Sequence, residues 1–152
     1  MNKILWQLKG FKQIGATQDK LVIFYILKIR SILMFGSVCF YSFLSLQLSQ
    51  LLELQQTRNL AIILGSQYRN YSHARNHVNL PRLDSLREET CLKWAIKAQS
   101  NLKHSHLYSL SEGTVNTRHR KKFTEYCCRT TKYYDSAVPS MTRALNKHSA
   151  VK

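Results

Sequence analysis

The densest run of residues able to do chemistry is a basic segment, residues 117–132. The candidate site residues in and next to it are Arg118, Arg120, Lys121, Lys122, Arg129, Lys132 and Tyr133. Against these cations the segment has one acidic residue, Glu125. Guanidinium and ammonium groups bind phosphates, and aromatic rings stack on nucleic-acid bases with roughly 1 to 3 kcal/mol per base. The segment therefore predicts a nonspecific RNA- or DNA-binding site.

Aromatic side chains around this segment allow two interpretations. They are Tyr108, Phe123, Tyr126, Tyr133 and Tyr134. Exposed rings would stack on bases, whereas buried rings would pack the tail against a helix around Trp94. The sequence favours neither interpretation, but it predicts that Trp94 lies in the interior of a helical C-terminal unit.

The sequence contains no complete set of residues for a catalytic site or a metal-binding site. Asp19, Asp84 and Asp135 are isolated from one another, whereas a two-metal phosphoryl-transfer site needs carboxylates that converge. Cys127 and Cys128 are adjacent and lack the spacing of a zinc-ligand pair. We therefore predict a protein that is not an enzyme, with no catalytic residue, no metal, no cofactor and no small-molecule substrate.

The composition is strongly basic and supplies enough apolar residues for a modest core. Of 152 residues, 44% are hydrophobic, and 23 Lys and Arg against 8 Asp and Glu give a formal net charge of +15. This balance favours a polyanionic partner, although a solvated basic surface without a ligand has the same composition. Four scattered cysteines without a cleavable leader predict a reducing, intracellular location, in the nucleus or cytoplasm.

Apolar periodicity predicts an all-α fold of two small helical modules with a basic, partly irregular C-terminal tail. The predicted helices cover residues 5–11, 21–35, 39–64, 83–99 and 139–146. The inward stripe of the third helix is expected at Leu44, Leu48, Leu52, Ile62 and Ile63. Composition changes at Gly65, a residue typical of a helix C-terminus. We therefore place the modules at residues 1–65 and 66–152.

An uncharged stretch, residues 31–52, has the length of a bilayer span, about 20 residues. It follows Lys28 and Arg30, as a positive flank does. Its serines, its glutamines and Gly36 make its transfer into a bilayer less favourable. The sequence thus favours a buried helical hairpin, and a membrane is not an expected partner. The alternative is a small membrane protein in which residues 31–52 form the transmembrane helix.

Short motifs from Leu5 to Asn146 share their order and approximate spacing with one known family. The first are Leu5-Trp6-Gln7-Leu8-Lys9, Leu21 with Phe24-Tyr25, Ile29-Arg30-Ser31-Ile32-Leu33, Phe35-Gly36-Ser37-Val38 and Ile62-Ile63-Leu64-Gly65. The later ones are Leu80-Pro81-x-Leu83, Arg87-Glu88-Glu89-x-Cys91-Leu92-Lys93-Trp94-Ala95, Asn116-Thr117-Arg118, Arg129-Thr130-x-Lys132-Tyr133, Ser136-Ala137-Val138-Pro139 and Leu145-Asn146. The series resembles the post-palm region and C-terminal tail of jockey-like non-LTR retrotransposon reverse transcriptases.

This resemblance implies a thumb-like helical segment over residues 1–65 and a tail that together grip template and primer. The parent is an endonuclease and RNA-directed DNA polymerase, but this sequence has neither a Tyr-x-Asp-Asp motif nor an endonuclease motif. Of the residues that would serve the parent's function, only the basic ones have counterparts in this sequence. The family tends to have Pro, Glu and Trp at the positions of Ser31, Met34 and Phe40.

Two further departures from the family are Gln55 and Asn59, where it tends to have apolar or small residues. Polar side chains on a core-facing stripe cost on the order of 1 to 3 kcal/mol each if unpaired. We therefore expect a truncated, retrotransposon-derived fragment with at most residual nonspecific RNA or DNA binding. A domesticated nucleic-acid-binding or interaction protein is a further alternative.

Overall fold

The computed structural model describes residues 2–111 and 122–150. Over those residues the fold is all-α, as the sequence predicts, and its one extended pairing is an isolated antiparallel bridge between Leu110 and Phe123. The chain divides into two compact units. The first comprises residues 1–35 and 45–86, and the second comprises residues 36–44 and 87–152.

The first unit begins with helix α1, Asn2–Gln13. A continuous helical rod follows, made of α2, Gln18–Phe24, a π-helical segment, Tyr25–Arg30, and α3, Ser31–Met34. Gly15 separates α1 from the rod with a φ of +86°, a conformation that glycine adopts without a steric penalty. Predicted helices over residues 5–11 and 21–35 are thus confirmed with longer N-terminal ends.

Every fourth residue of the rod is buried in the core of the first unit. These residues are Leu21, Tyr25, Ile29 and Leu33. An α-helix has 3.6 residues per turn, so a four-residue repeat drifts around its surface. The π-helical segment has wider turns, with hydrogen bonds from residue i to i+5, and it offsets that drift. The buried row therefore stays aligned along the whole rod.

Helix α5, Leu46–Leu64, starts later than the predicted helix over residues 39–64. Ser45 caps it, since its hydroxyl oxygen accepts a hydrogen bond from the backbone N–H of Leu48 at 3.3 Å. The helix ends at Gly65, as predicted, where φ is +57°. The first turns of the predicted helix are therefore wrong.

The uncharged stretch of residues 31–52 is not one continuous helix. The rod ends at Met34, and Gly36 follows with a φ of +66°, which favours glycine. Two short elements come next, helix α4, Ser37–Phe40, and a 3₁₀ turn, Tyr41–Phe43. These elements belong to the second unit, so the stretch contributes to both units.

The buried face of α5 is polar in its middle, which differs from the predicted leucine stripe. Glu53, Gln56 and Asn59 are buried, whereas Leu48 is exposed. The prediction is correct for Ile63, which is buried, and for Leu52 and Ile62, which pack against the core. It is wrong at Leu48, because leucine occurs on every side of the N-terminal half of the helix. Leucine spacing therefore could not define the inward face.

A hydrogen-bond network satisfies two of these buried side chains. The Tyr25 hydroxyl donates to Oε1 of Gln56 at 2.9 Å, and Nε2 of Gln56 donates to the Tyr71 hydroxyl at 3.1 Å. The Glu53 carboxylate accepts from the Tyr71 hydroxyl and, at 3.0 Å, from the backbone N–H of Asp84. Burial, and then the hydrogen bond to Glu53, raises the pKa of Tyr71 above its usual range.

Asn59 is the least satisfied of the buried polar residues of α5. Its Nδ2 donates to the carbonyl of Gln55 at 2.6 Å. Its Oδ1 is buried and has no hydrogen-bond partner among the described residues. Since an unsatisfied buried polar group costs about 1 to 3 kcal/mol, Asn59 weakens the first unit.

Residues 66–86 pack with the first unit, so the compact units differ in extent from the predicted modules. Helix α6, Tyr71–His77, follows a 3₁₀ turn at Gly65–Gln67. Ala74, Leu80 and Leu83 complete the core that the rod and α5 begin. Tyr71 of α6, which donates to Glu53, packs against the same core.

The second unit is built on helix α7, Leu83–Ser100, from Arg87 onwards, and on helix α9, Ala137–Ala150. A 3₁₀ turn, Ser105–Tyr108, and a short helix α8, Thr131–Tyr134, lie between them in sequence. The predicted helices over residues 83–99 and 139–146 are thus confirmed, the second as part of a longer helix. The core residues are Cys91, Ala95, Ala98, Tyr108, Phe123, Met141 and Leu145.

Trp94 lies on α7 but is 36% exposed, so the prediction of an interior position is wrong. Cys91, Ala95 and Ala98 form the inward row of the helix at positions i, i+4 and i+7. Trp94 precedes Ala95 by one residue and is therefore rotated about 100° from that row. Small residues, and not the tryptophan, form this side of the core.

Candidate nucleic-acid interface

Helix α9 holds the described part of the basic segment at two points. Oδ1 of Asn146 accepts from the backbone N–H of Phe123 at 2.8 Å, and its Nδ2 donates to the Phe123 carbonyl at 3.1 Å. Nη2 of Arg143 donates to the Tyr134 carbonyl at 2.9 Å. Arg143 and Asn146 are neighbours on one helix face because they are three residues apart. Both ends of the segment from Phe123 to Tyr134 are therefore attached one helical turn apart.

Backbone pairing fixes the position of Lys122 at the start of this segment. The N–H of Ser111 donates to the Lys122 carbonyl at 3.0 Å, and the N–H of Thr124 donates to the Ser109 carbonyl at 3.0 Å. Phe123, between them, is fully buried. Because neighbouring residues of extended backbone point to opposite sides, Lys122 is exposed.

The aromatic side chains divide between the core and the surface. Tyr108 and Phe123 are buried, and burial raises the pKa of Tyr108 to about 12. Tyr126, Tyr133 and Tyr134 are exposed. The packing interpretation is thus confirmed for Tyr108 and Phe123, and base stacking stays a prediction for the three exposed rings. The exposed rings are available for stacking.

Helix α8 presents predicted site residues to solvent. Thr130 caps the helix, since its Oγ1 accepts from the backbone N–H of Tyr133 at 3.2 Å. Arg129, Lys132 and Tyr133 are exposed. Lys132 and Tyr133 are consecutive in a helical turn, so their side chains diverge by about 100°. The Lys132 ammonium and the Tyr133 ring therefore point in different directions.

Arg143, which the sequence interpretation missed, lies over the Tyr134 ring. The guanidinium carbon is 3.6 Å from the ring centroid. A signal for this residue exists in the sequence: Arg143 and Lys147 are four residues apart on the helix whose inward residues are Met141 and Leu145. Arg143 and Lys147 therefore add two cations to those that the sequence predicted for the site.

Four of the seven predicted site residues are described, and all four are exposed: Lys122, Arg129, Lys132 and Tyr133. Arg118, Arg120 and Lys121 lie outside the described residues. Over residues 122–150 the sequence has five Lys or Arg against Glu125 and Asp135. The surface is therefore net positive. We call the four exposed residues together with Tyr134 and Arg143 the α9 surface.

An open depression of about 290 Å³ lies beside Lys122. Its lining residues are Ile96, Gln99, Lys122, Phe123, Leu145, His148 and Ser149. The floor is partly apolar, which suits the face of a base, and the lysine at the rim suits a phosphate. The depression therefore extends the α9 surface with a concave element.

Among the described residues, Cys127 and Cys128 belong to no group of side chains that could hold a metal ion. Cys127 is exposed, and Sγ of Cys128 donates to the Tyr126 carbonyl at 3.3 Å. Within residues 2–111 and 122–150, no three His, Cys, Asp or Glu side chains are grouped so that they could hold a metal ion. The chemistry of the α9 surface is that of cations and aromatic rings.

Comparison of the chain with known proteins finds no matching family model, curated protein or solved structure. The α9 surface is therefore interpreted from its own geometry and charge.

Proposed function

We propose that this chain is a retrotransposon-derived fragment of the C-terminal region of a reverse transcriptase, and that it binds RNA or DNA without sequence preference through the α9 surface. The proposal assigns it no catalytic residue, cofactor or small-molecule substrate of its own. It also implies an intracellular location, in the nucleus or cytoplasm, where both nucleic acids occur. The colinear motifs from Leu5 to Asn146 support the origin of the fragment.

The attachment of the basic segment to α9 is the observation that carries the binding proposal. Asn146 and Arg143 hold Phe123 and Tyr134 one helical turn apart. The backbone beside Lys122, which precedes Phe123, and near Lys132, two residues before Tyr134, is thereby attached to α9. Ordered cations lose less conformational freedom on binding than cations of a free tail, so this attachment favours affinity.

The exposed rings favour single strands over duplexes. Tyr133 and Tyr134 are 44% and 48% exposed. A ring can stack on a base only where that base is unstacked from its neighbours, as in single-stranded nucleic acid. The cations contact the phosphate backbone, which carries no sequence information. The α9 surface therefore fits single-stranded RNA or DNA of any sequence.

Titration of the full chain with labelled single-stranded RNA at several salt concentrations tests the proposal. Four cations, Lys122, Arg129, Lys132 and Arg143, predict that log affinity falls with log salt with a slope of at least about 3. The double variant Arg129→Ala/Lys132→Ala is expected to lower the magnitude of that slope by about 1.4.

A matched control is Arg58→Ala/Arg69→Ala, which removes two exposed arginines of the first unit. Its affinity and salt slope are expected to equal those of the unchanged chain. Equal losses in the two double variants would mean that net charge alone attracts the RNA. That result would overturn the assignment of binding to the α9 surface.

A further inference from the structure

The solvent side of the helical rod, residues 18–34, carries exposed apolar side chains although the rod already buries an apolar row. Ile23 and Leu27 are exposed and share a row with Ser31 on the side opposite the buried row. Phe35, also exposed, follows directly after the end of the rod. A helix that is apolar on both sides has a further apolar environment to contact.

Cations lie directly beside this exposed row. Lys20, Lys28 and Ile32 are exposed and share the adjacent row of the rod. Residues 2–35 contain six Lys or Arg and one acidic residue, Asp19. Of the six, Lys12 is not on this surface, because its Nζ donates to the carbonyls of Ile62 and Ile63. The surface therefore combines apolar side chains with positive charge, and no carboxylate follows Asp19 on the rod.

An open apolar pocket adjoins the rod on the side of α1. It has a volume of about 250 Å³ and is lined by Ile4, Leu5, Ile29, Ile32 and Leu33. Apolar cavities of about 150 Å³ accept benzene, so this pocket can take an alkyl segment. Each helix places a lysine one turn from a lining residue, Lys9 beside Leu5 and Lys28 beside Ile32.

We infer that the rod and α1 lie on the surface of an anionic lipid bilayer, with Ile23, Leu27 and Phe35 among the acyl chains. A bilayer presents apolar chains and anionic headgroups side by side, which is the combination that this face complements. A nucleic acid would leave the exposed leucine and isoleucine in water. Trp6 of α1, also exposed, is a side chain that prefers the headgroup region.

The rod lies along the bilayer in this arrangement and does not cross it. Within Gln18–Phe43 an 18-residue window reaches a mean hydropathy of 1.9 and meets the length and composition of a span, as core helices of soluble proteins also do. Its continuous helix, residues 18–34, is about 26 Å long at 1.5 Å per residue, whereas the hydrocarbon core is about 30 Å thick. Lys28 and Arg30 also lie within it. This differs from a span over residues 31–52.

Vesicle co-sedimentation of the full chain tests the inference. We expect binding to vesicles that contain phosphatidylserine and much weaker binding to phosphatidylcholine alone. Ile23→Gln/Leu27→Gln is expected to reduce binding about tenfold or more, because two aliphatic side chains no longer enter the bilayer. Both residues are more than half exposed, so the fold is retained, which circular dichroism checks.

Leu102→Gln is the matched control, since Leu102 is 95% exposed and belongs to the second unit. It should leave vesicle binding unchanged, as should Arg129→Ala/Lys132→Ala, which separates this inference from RNA binding. In a Trp94→Phe background, the fluorescence of Trp6 should shift to shorter wavelength with phosphatidylserine vesicles. Equal binding by Ile23→Gln/Leu27→Gln and the unchanged chain, or no preference for phosphatidylserine, would overturn the inference.

Discussion

The guanidinium of Arg143 lies 3.6 Å from the centre of the Tyr134 ring and also donates to the Tyr134 carbonyl at 2.9 Å. Two contacts between the same two residues fix the end of α8 on α9. Tyr134 nevertheless remains exposed, so the ring is oriented and still available. Orientation of a binding residue before the ligand arrives lowers the entropy lost on binding.

Replacement of this arginine by lysine separates charge from orientation. Arg143→Lys keeps the cation but loses the planar group that stacks and donates in a fixed geometry. We expect a three- to tenfold loss of affinity for single-stranded RNA, about 1 kcal/mol, with an unchanged salt slope. Arg143→Ala should lower the magnitude of the slope by about 0.7. Titration at several salt concentrations distinguishes the two, and equal slopes in both variants would contradict the role of this cation.

Asn146 attaches the other end of the segment, and its loss should be more costly for stability. Asn146→Ala leaves the buried N–H and carbonyl of Phe123 without their partner, which should lower the free energy of unfolding by about 2 to 4 kcal/mol. Urea denaturation measures the loss. Asn101→Ala is the control, because the bond from the Lys103 N–H to Oδ1 of Asn101 is exposed. Similar losses in both variants would contradict a special role for Asn146.

The helices could be predicted from the sequence where apolar spacing and glycines agree. Leu83–Ser100 matches the predicted helix within one residue, and Gly65 marks a helix end as expected. The later start of α5 could not be predicted, because residues 39–45 are as apolar as a helix interior. Helix α5 begins where the Ser45 hydroxyl caps it. The predicted start followed the leucine pattern and not this capping residue.

The α9 surface could be predicted in part. The cations of residues 117–132 are visible as a run in the sequence, so Arg129 and Lys132 were found directly. Arg143 was missed because its contribution comes from a tertiary contact with Tyr134. Likewise, composition could not show which tyrosines are buried, since that depends on the pairing of residues 109–111 with residues 122–124.

The buried carboxylate of Glu53 makes the first unit sensitive to one hydroxyl. Tyr71→Phe removes a hydrogen bond to this carboxylate and should lower the free energy of unfolding by about 1.5 to 3 kcal/mol. Tyr68→Phe is the matched control, because Tyr68 packs against the same core. Chemical denaturation of both variants gives the comparison. If Tyr71→Phe is no less stable than Tyr68→Phe, the bond to Glu53 contributes nothing.

Removal of the amide of Asn59 should stabilise the chain. Asn59→Ala eliminates the buried Oδ1 that has no partner among the described residues and raises helix propensity. We expect a gain of about 1 kcal/mol in the free energy of unfolding. Asn76→Ala, at an exposed position of α6, changes propensity without that relief and should gain less. A loss of stability in Asn59→Ala would show that cavity formation outweighs the relief.

Alkaline pH should unfold the second unit partly through Tyr108. Burial raises the pKa of this phenol to about 12, against an ordinary value of 10.0, so the folded state holds the proton more tightly than the unfolded state. The stability that this difference contributes is complete below pH 10 and is lost as the pH rises towards 12. Tyr108→Phe removes the titrating group, and the free energy of unfolding of this variant should fall less steeply between pH 10 and 12. Parallel pH profiles for the two proteins, measured by urea denaturation, would show that the phenol ionises equally in both states.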